Sequence, residues 1–453
     1  MKLSQILLFL ALGAATLPAQ TPETEAPKKK RAAAPAEGGT APLQVVQSNS
    51  LVRVNATSQP YSLHLPWQKE SPSGRRGLGV VLAGNRVLVT GQMVADATYI
   101  ELELPEKGQK IPAKVVAVDY EANLALLESA PSDKQKAFFA GLKPMAVDTS
   151  TRIEDKVDIL QTGRVGELIK SELRIGKVMT RRYNVEGSGF LVYEANNIVR
   201  SEANSFTLPV VKGGKLVGLL LSYDSKNQVT TILPAPIIEH FLKDVADGSY
   251  EGFPSLGMEM QTTLDEQFRE FLGLKPDAPG VLISMVMKGG SAEKSGMKKG
   301  DILVAINGFA IDSRGDYKDP QFGALSSSHL VRGRAYVGDK VEIKVIREGK
   351  EVVLTGELTR RKPDDSLVLP YLFDKGPRYV VMGGLLFQEL SHPYLDAFGE
   401  EQRGGAILRL SRIANHPDKY EEEGRKSWSS SASCCRLPAP RVMTSSAGRW
   451  STR

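Results

Sequence analysis

The sequence predicts a mainly β fold, a barrel or sandwich over residues 49–248, followed by smaller modules that mix helix and strand. Three observations carry this expectation. Leu78–Leu82 and Val87–Thr90 are apolar strands flanking a Gly84-Asn85 turn. Ile100, Leu102 and Leu104 alternate with polar residues, as do later segments. The β-rich run then closes on one periodic helix, with Pro236 near its start, Ile237, Ile238, Phe241, Leu242 and Val245 on one face, and Gly248 behind it.

The 453 residues are 41% hydrophobic and 24% charged, enough to bury two or three ordinary cores. The formal net charge is +6, but residues 426–453 contribute Lys426, Arg436, Arg441, Arg449 and Arg453 with no acid, so the remainder is close to neutral. That balance gives no reason to expect a nucleic-acid partner. The only cysteines, Cys434 and Cys435, are adjacent, and a bridge between neighbours is strained. The fold is therefore expected to stand without disulfides, and nothing calls for a metal or another cofactor.

Lys2 followed by the apolar run Ile6–Leu12 and a small-residue end reads as a signal peptide over 1–19. The run is too short for a transmembrane span. An exported protein, periplasmic or extracellular, is the consequence. Residues 20–48 are rich in Ala, Pro, Glu, Lys and Gly and read as a disordered linker carrying the basic run Lys28–Arg31.

Past the terminal helix, FPSLGMEM opens a second module. Thr263 and Glu266 fit a capping box for a helix around Leu264–Leu272. GVLISMVM is a strand, GGSAEKSGMKKGDILVAINGFAI a helix–turn–strand unit, and VEIKVIREGKEVVLTGEL a hairpin. The stretch RYVVMGGLLFQELSHPYLDAF begins a third module. Residues 427–453 hold eight serines, both cysteines and two of three tryptophans, and keep no period of two or 3.6. They read as an aberrant or disordered tail, dispensable for folding.

GLGVVLAGNRVLVTGQMVADAT, AKVVAVDYEANLALLE and LPVVKGGKLVGLLLS with VTTILPAPIIEHFLKD resemble, in this order, the HtrA or Do-like serine proteases, above all their plant-type branch. The resemblance implies a trypsin-like double β-barrel over 49–248, a PDZ domain of α+β type over 249–362 and the N-terminal part of a second PDZ-like domain over 375–426. In the first PDZ domain it makes Ser255, Leu256, Gly257 and Met258 the loop that holds a peptide carboxylate. Gly384–Phe387 would be the matching loop of the second. It further implies peptide or protein C-termini and unfolded proteins as partners, and assembly as a homotrimer or as a hetero-oligomer with active homologues.

The same resemblance places the catalytic positions. The family's Thr-Ala-His turn corresponds to Thr90-Gly91-Gln92, its Asp-Leu-Ala to Asn123-Leu124-Ala125, and its Gly-Asn-Ser-Gly-Gly-Pro to Asn204–Pro209 with Phe206 at the nucleophile. A serine nucleophile needs a base to take its proton and a carboxylate to stabilise the imidazolium that forms. Gln92 does not titrate near neutral pH, Asn123 carries no charge, and Phe206 has no nucleophilic atom. Sliding the register by one brings Ser205 to the nucleophile position but supplies no histidine. None of His64, His240, His329, His392 and His416 stands at a catalytic motif; His64 precedes the first matched strand and His240 sits on the terminal helix, so the resemblance brings neither to the site. The expected protein is thus a peptide-binding serine protease homologue without a triad. An active Do-like endopeptidase of protein quality control is the alternative.

Overall fold

The computed structural model describes residues 49–434 except 105–107, 163–166, 184, 186–188, 197–206, 276–277, 399–404, 417–419 and 421–428. The expected signal peptide and linker lie outside the described residues. No helix among those described is long and apolar enough to cross a membrane.

Strand β1 (Leu51–Ser58) shows why this region forms sheet. Val52, Val54 and Ala56 point inward while Arg53, Asn55 and Thr57 face out. It pairs antiparallel with β2 (Ser73–Leu82), Leu51 opposite Val80 and Ser58 opposite Ser73. With β3 (Arg86–Val89), β4 (Ala97–Glu103), β5 (Lys110–Pro112), β6 (Lys114–Asp119) and β7 (Leu124–Glu128) they make a seven-stranded sheet, ordered β5-β4-β1-β2-β3-β7-β6. The Gly84-Asn85 turn has positive φ at both residues, 78° and 57°.

The next six strands, β8 (Lys156–Thr162), β9 (Leu168–Arg182), β10 (Gly189–Asn196), β11 (Pro209–Lys212), β12 (Lys215–Asp224) and β13 (Val229–Pro234), close into a barrel ordered β10-β13-β12-β11-β8-β9. Of the two barrels expected from the sequence, the second is closed and the first is a curled, open sheet. Short helices α1 (Gly91–Val94) and α2 (Asp133–Phe139) attach to the first sheet. Helix α3 (Ala235–Asp244) ends the unit as its pattern requires, burying Ile237, Ile238 and Phe241 and stopping at Gly248 with φ 91°.

The first PDZ-type domain has β14 (Met258–Gln261), α4 (Glu266–Phe271), β15 (Val281–Val286), α5 (Ser291–Lys294), β16 (Ile302–Ile306) and β17 (Phe309–Ala310). The hairpin β18 (Asp316–Asp319) and β19 (Gly323–Ser326), helix α6 (Ser328–Arg332) and strands β20 (Lys340–Arg347) and β21 (Lys350–Glu357) complete it. Its main sheet runs β14-β15-β16-β20-β21, which leaves β14 at an edge. The expected capping box does not form. Asp265 caps α4, its Oδ1 accepting from Phe268 N–H at 2.7 Å, while Thr263 is buried and donates its hydroxyl to Gly280 O at 2.6 Å.

The last module holds β22 (Tyr379–Met382), β23 (Leu385–Glu389), α7 (His392–Asp396), α8 (Gly405–Asn415) and β24 (Ser429–Cys434), with sheet order β22-β23-β24. Leu385, Leu386 and Phe387, expected in a binding loop, belong to β23. Gly383 and Gly384, at φ 59° and 76°, make the hairpin turn before it. Residues 429–434, expected to be unstructured, pair antiparallel with β23, from Leu385 opposite Cys434 to Glu389 opposite Ser429. Backbone pairing asks little of side-chain period, so the composition of this stretch concealed it.

His240 joins the terminal helix to the first PDZ-type domain. Its ring stacks between Phe253 and Tyr336, with centroids 4.4 and 4.0 Å away, and its Nε2 lies 2.8 Å from Ala335 O. Nδ1 is buried without a partner. Burial holds the imidazole below its ordinary pKa, and it pushes His329 down to about 4. Since the folded state favours neutral His240, its contribution is complete above about pH 6.5 and is lost as pH falls below that value toward the lowered pKa. His240→Phe keeps the stack and removes the titration. Denaturant midpoints measured from about pH 7 to about pH 5 should fall less steeply in this variant than in the wild type.

Barrel closure makes a second demand. A Cβ at Gly218 would sit 2.5 Å from both Leu233 O and Ile232 Cγ2. Gly218→Val should destabilise the protein by about 3 kcal/mol, read as a lowered denaturant midpoint.

Candidate functional site

Helix α1 begins where β3 ends, and its first turn places Gln92 half-buried at the expected base position. The Gln92 backbone N–H donates to Asn123 Oδ1 at 2.9 Å. Asn123 is buried and has φ 54°, a left-handed conformation that asparagine tolerates better than most residues. The two positions read from the sequence therefore do meet, through a neutral amide acceptor and a main-chain donor. Arg75 Nη1 donates to Gln92 O at 2.5 Å and Ala95 O at 2.8 Å, and burial lowers its pKa.

Phe206, with Asn204 and Ser205, lies outside the described residues. Thr207, directly after it, is fully buried and joins the open sheet to the barrel. Its carbonyl accepts from Leu78 N–H at 3.0 Å, and its Oγ1 accepts from Thr90 N–H at 3.1 Å and lies 2.7 Å from Thr90 Oγ1.

The loop leading to Asn123 is gripped residue by residue. Buried Asp119 accepts from Ala122 N–H at 2.7 Å, Tyr250 Oη at 2.5 Å and Arg360 Nη2 at 3.1 Å. Tyr120 donates its hydroxyl to Asp374 and packs on Phe373 with centroids 4.5 Å apart. Glu121 pairs with Arg332 of α6 at 3.0 Å, both side chains being nearly buried.

In the first PDZ-type domain Ser255 to Met258 lead into edge strand β14. Ser255 N–H donates to Thr359 O at 3.1 Å, and the Ser291 hydroxyl donates to Ser255 O at 3.0 Å. The carbonyls of Leu256 and Gly257 accept from Ala292 and Met287 N–H, each at 2.8 Å. Leu256 is buried and Met258 half-buried, so Leu256 serves the core. Gly257 has φ 71°, and a Cβ there would approach Gly290 Cα to 3.2 Å, two reasons for glycine at this point.

A cavity of 410 Å³ adjoins the loop, walled by Ser255 and Gly257 and by the side chains of Lys288, Lys294, Arg361 and Asp365. Sequence reasoning missed these charged residues. Lys288-Gly289-Gly290 and Arg360-Arg361 are 70 or more positions apart, and the fold brings them together through the Ser255–Thr359 pairing and the Thr359 N–H bond to Ser291 Oγ at 2.8 Å. Among the described residues no group of three or more His, Cys, Asp or Glu is placed to hold a metal.

The PDZ domain family matches this chain twice, at residues 255–316 and 368–425. Protease Do-like 4, mitochondrial, of Arabidopsis thaliana is 26% identical over 354 residues, covering 77% of this chain and 66% of its own. The periplasmic serine endoprotease DegP of Salmonella typhimurium is 26% identical over 296 residues, covering 62% of this chain and 56% of its own.

Over most of its length the chain is similar to Do-like proteases, and it carries two matches to the PDZ domain family.

The two PDZ-matched segments follow the β-rich unit of open sheet and barrel. The HtrA-type protease AlgW, solved with a decapeptide, superposes with a TM-score of 0.52 at 19% identity, covering 70% of this chain and 97% of that one. That likeness shows the fold. The chain spans about three-fifths of the length of the first curated relatives it matches.

Asn123→Ala would leave the Gln92 N–H without its acceptor and place alanine at positive φ. A loss of about 1–3 kcal/mol is expected in denaturant titrations, while Asn123→Asp, which restores an acceptor, should stay near wild type.

Proposed function

We propose that this protein is an exported, non-catalytic member of the HtrA/Do-like serine protease family that binds peptide or protein C-termini and unfolded chains as a scaffold, holdase or regulatory subunit. One observation carries the reading. At the position of the expected base stands Gln92, whose main-chain N–H is held by neutral Asn123. Glutamine cannot accept a proton from a hydroxyl at neutral pH, and asparagine lends no negative charge to a cation that never forms. Phe206 at the nucleophile position adds to the argument from sequence.

Binding is assigned to the first PDZ-type domain. Gly257, at φ 71°, shapes a loop whose amides would take an anionic terminus in place of the Gly257 N–H bond to Ser255 Oγ at 3.2 Å, and four-residue β14 at the sheet edge would receive an added strand. The periplasmic and organellar names of relatives support export, and partnership with active homologues extends the same reading.

A second reading is a working Do-like endopeptidase of protein quality control. What favours it is that each relative reported above is named as a protease. It requires a proton acceptor other than Gln92.

Incubating the purified protein with unfolded casein and a fluorophosphonate probe separates the two. No cleavage and no labelling are expected; cleavage abolished by Ser205→Ala would establish the second reading. Binding is tested apart from catalysis. A peptide with an apolar free-acid end should lose at least about tenfold in affinity on amidation, since charge-assisted bonds contribute about 1.5–3 kcal/mol each. Gly257→Val should weaken binding comparably by crowding Gly290, and equal affinities for acid and amide would refute terminal capture.

A further inference from the structure

We propose that the cavity beside the Ser255–Met258 loop makes the first PDZ-type domain select C-termini that carry a second acidic group within their last two residues. This deepens the terminal-capture reading and rests on it. Ser255 and Gly257 belong both to the loop and to the cavity wall, so a peptide entering the loop brings its own last side chains to the cavity.

The wall is unequally charged. Lys288, Lys294, Arg360 and Arg361 line it with Asp365, and the Glu293 carboxylate sits beside the wall on Gly289 N–H. Arg360 is committed to Asp119 at 3.1 Å, and Arg361 leans on Met287 Sδ and on Asp365 O at 3.4 Å. The exposed ammonium groups of Lys288 and Lys294 have no carboxylate partner among the described residues. A terminal carboxylate taken by the loop amides leaves this cationic surplus beside it.

The backbone of the same segment is already occupied. Gly289 N–H donates to Glu293 Oε2 at 2.7 Å and Gly290 N–H to Met287 O at 3.1 Å. Recognition of an added acid therefore falls to the lysine side chains. These are flexible point charges that suit a mobile side-chain carboxylate and that salt screens readily. Glu293 and Asp365 oppose the preference and limit its size.

The test uses the full chain and four peptides of equal length: an apolar-ended free acid, its amide, and free acids with glutamate at the last or the next-to-last position. Binding is followed by fluorescence polarisation at low and high salt, for wild type and for Lys288→Ala/Lys294→Ala. One glutamate peptide should bind about fivefold tighter than the neutral acid at low salt, and the double variant should lose that gain while still binding the neutral acid. If neither glutamate peptide exceeds the neutral one by about twofold, or if the gain survives the double substitution, the selectivity is refuted and terminal capture stands. If the neutral acid binds no better than its amide, terminal capture fails, and this proposal with it.

Discussion

Asp119 is the residue on which the arrangement of the sites depends. Its buried carboxylate takes hydrogen bonds from Tyr250, from Arg360 and from the backbone of its own loop, and thereby fastens the open sheet to the segment after α3 and to the end of the first PDZ-type domain. Burying such a pair returns little net stability, because desolvation offsets the attraction, but leaving either charge alone is costly. It works as a constraint on geometry more than as glue. Glu121 repeats the device with Arg332, and Tyr120 donates its hydroxyl to Asp374. Three consecutive side chains thus commit the loop that ends in Asn123 to three different parts of the chain.

Held in this way, the Asn123 loop keeps its hydrogen-bonding scaffold with a neutral side chain as the acceptor. An asparagine oxygen accepts a main-chain N–H as a carboxylate oxygen does, so local shape does not require the charge. Arg75, Thr90 and Thr207 tie down the same helix start through main-chain and hydroxyl contacts, none of which involves a proton acceptor of useful basicity. Architecture and reactivity separate at this point, and a likeness of fold informs only the first.

The fold was legible wherever one face of an element is buried. The alternation in β1 and the periodic face of α3 appear in the structure as the sequence suggests, because burial acts on every second residue of a strand and every third or fourth of a helix. Legibility failed where tertiary context chose between equals. Thr263 and Asp265 are both good caps, and only the proximity of the Gly280 carbonyl diverts the threonine hydroxyl inward. Gly384–Phe387 carries the composition of a loop, yet the two-glycine turn falls one residue earlier and leaves the apolar residues to the strand. Of the site, Gln92 and Asn123 could be matched from motifs. The cationic cavity could not, since its walls come from distant segments and no local pattern records their meeting.

The brevity of β14 has a kinetic meaning. An antiparallel edge directs only alternate residues outward, so a four-residue strand offers an incoming chain about two residues' worth of main-chain bonds. So short a ladder forms without ordering much of the guest and lets go without a concerted rupture, which favours brief residence over long retention. Under the proposed terminal capture, a surface of this kind would sample many chain ends in succession, and any lasting complex would draw its persistence from contacts elsewhere or from several such edges engaged together.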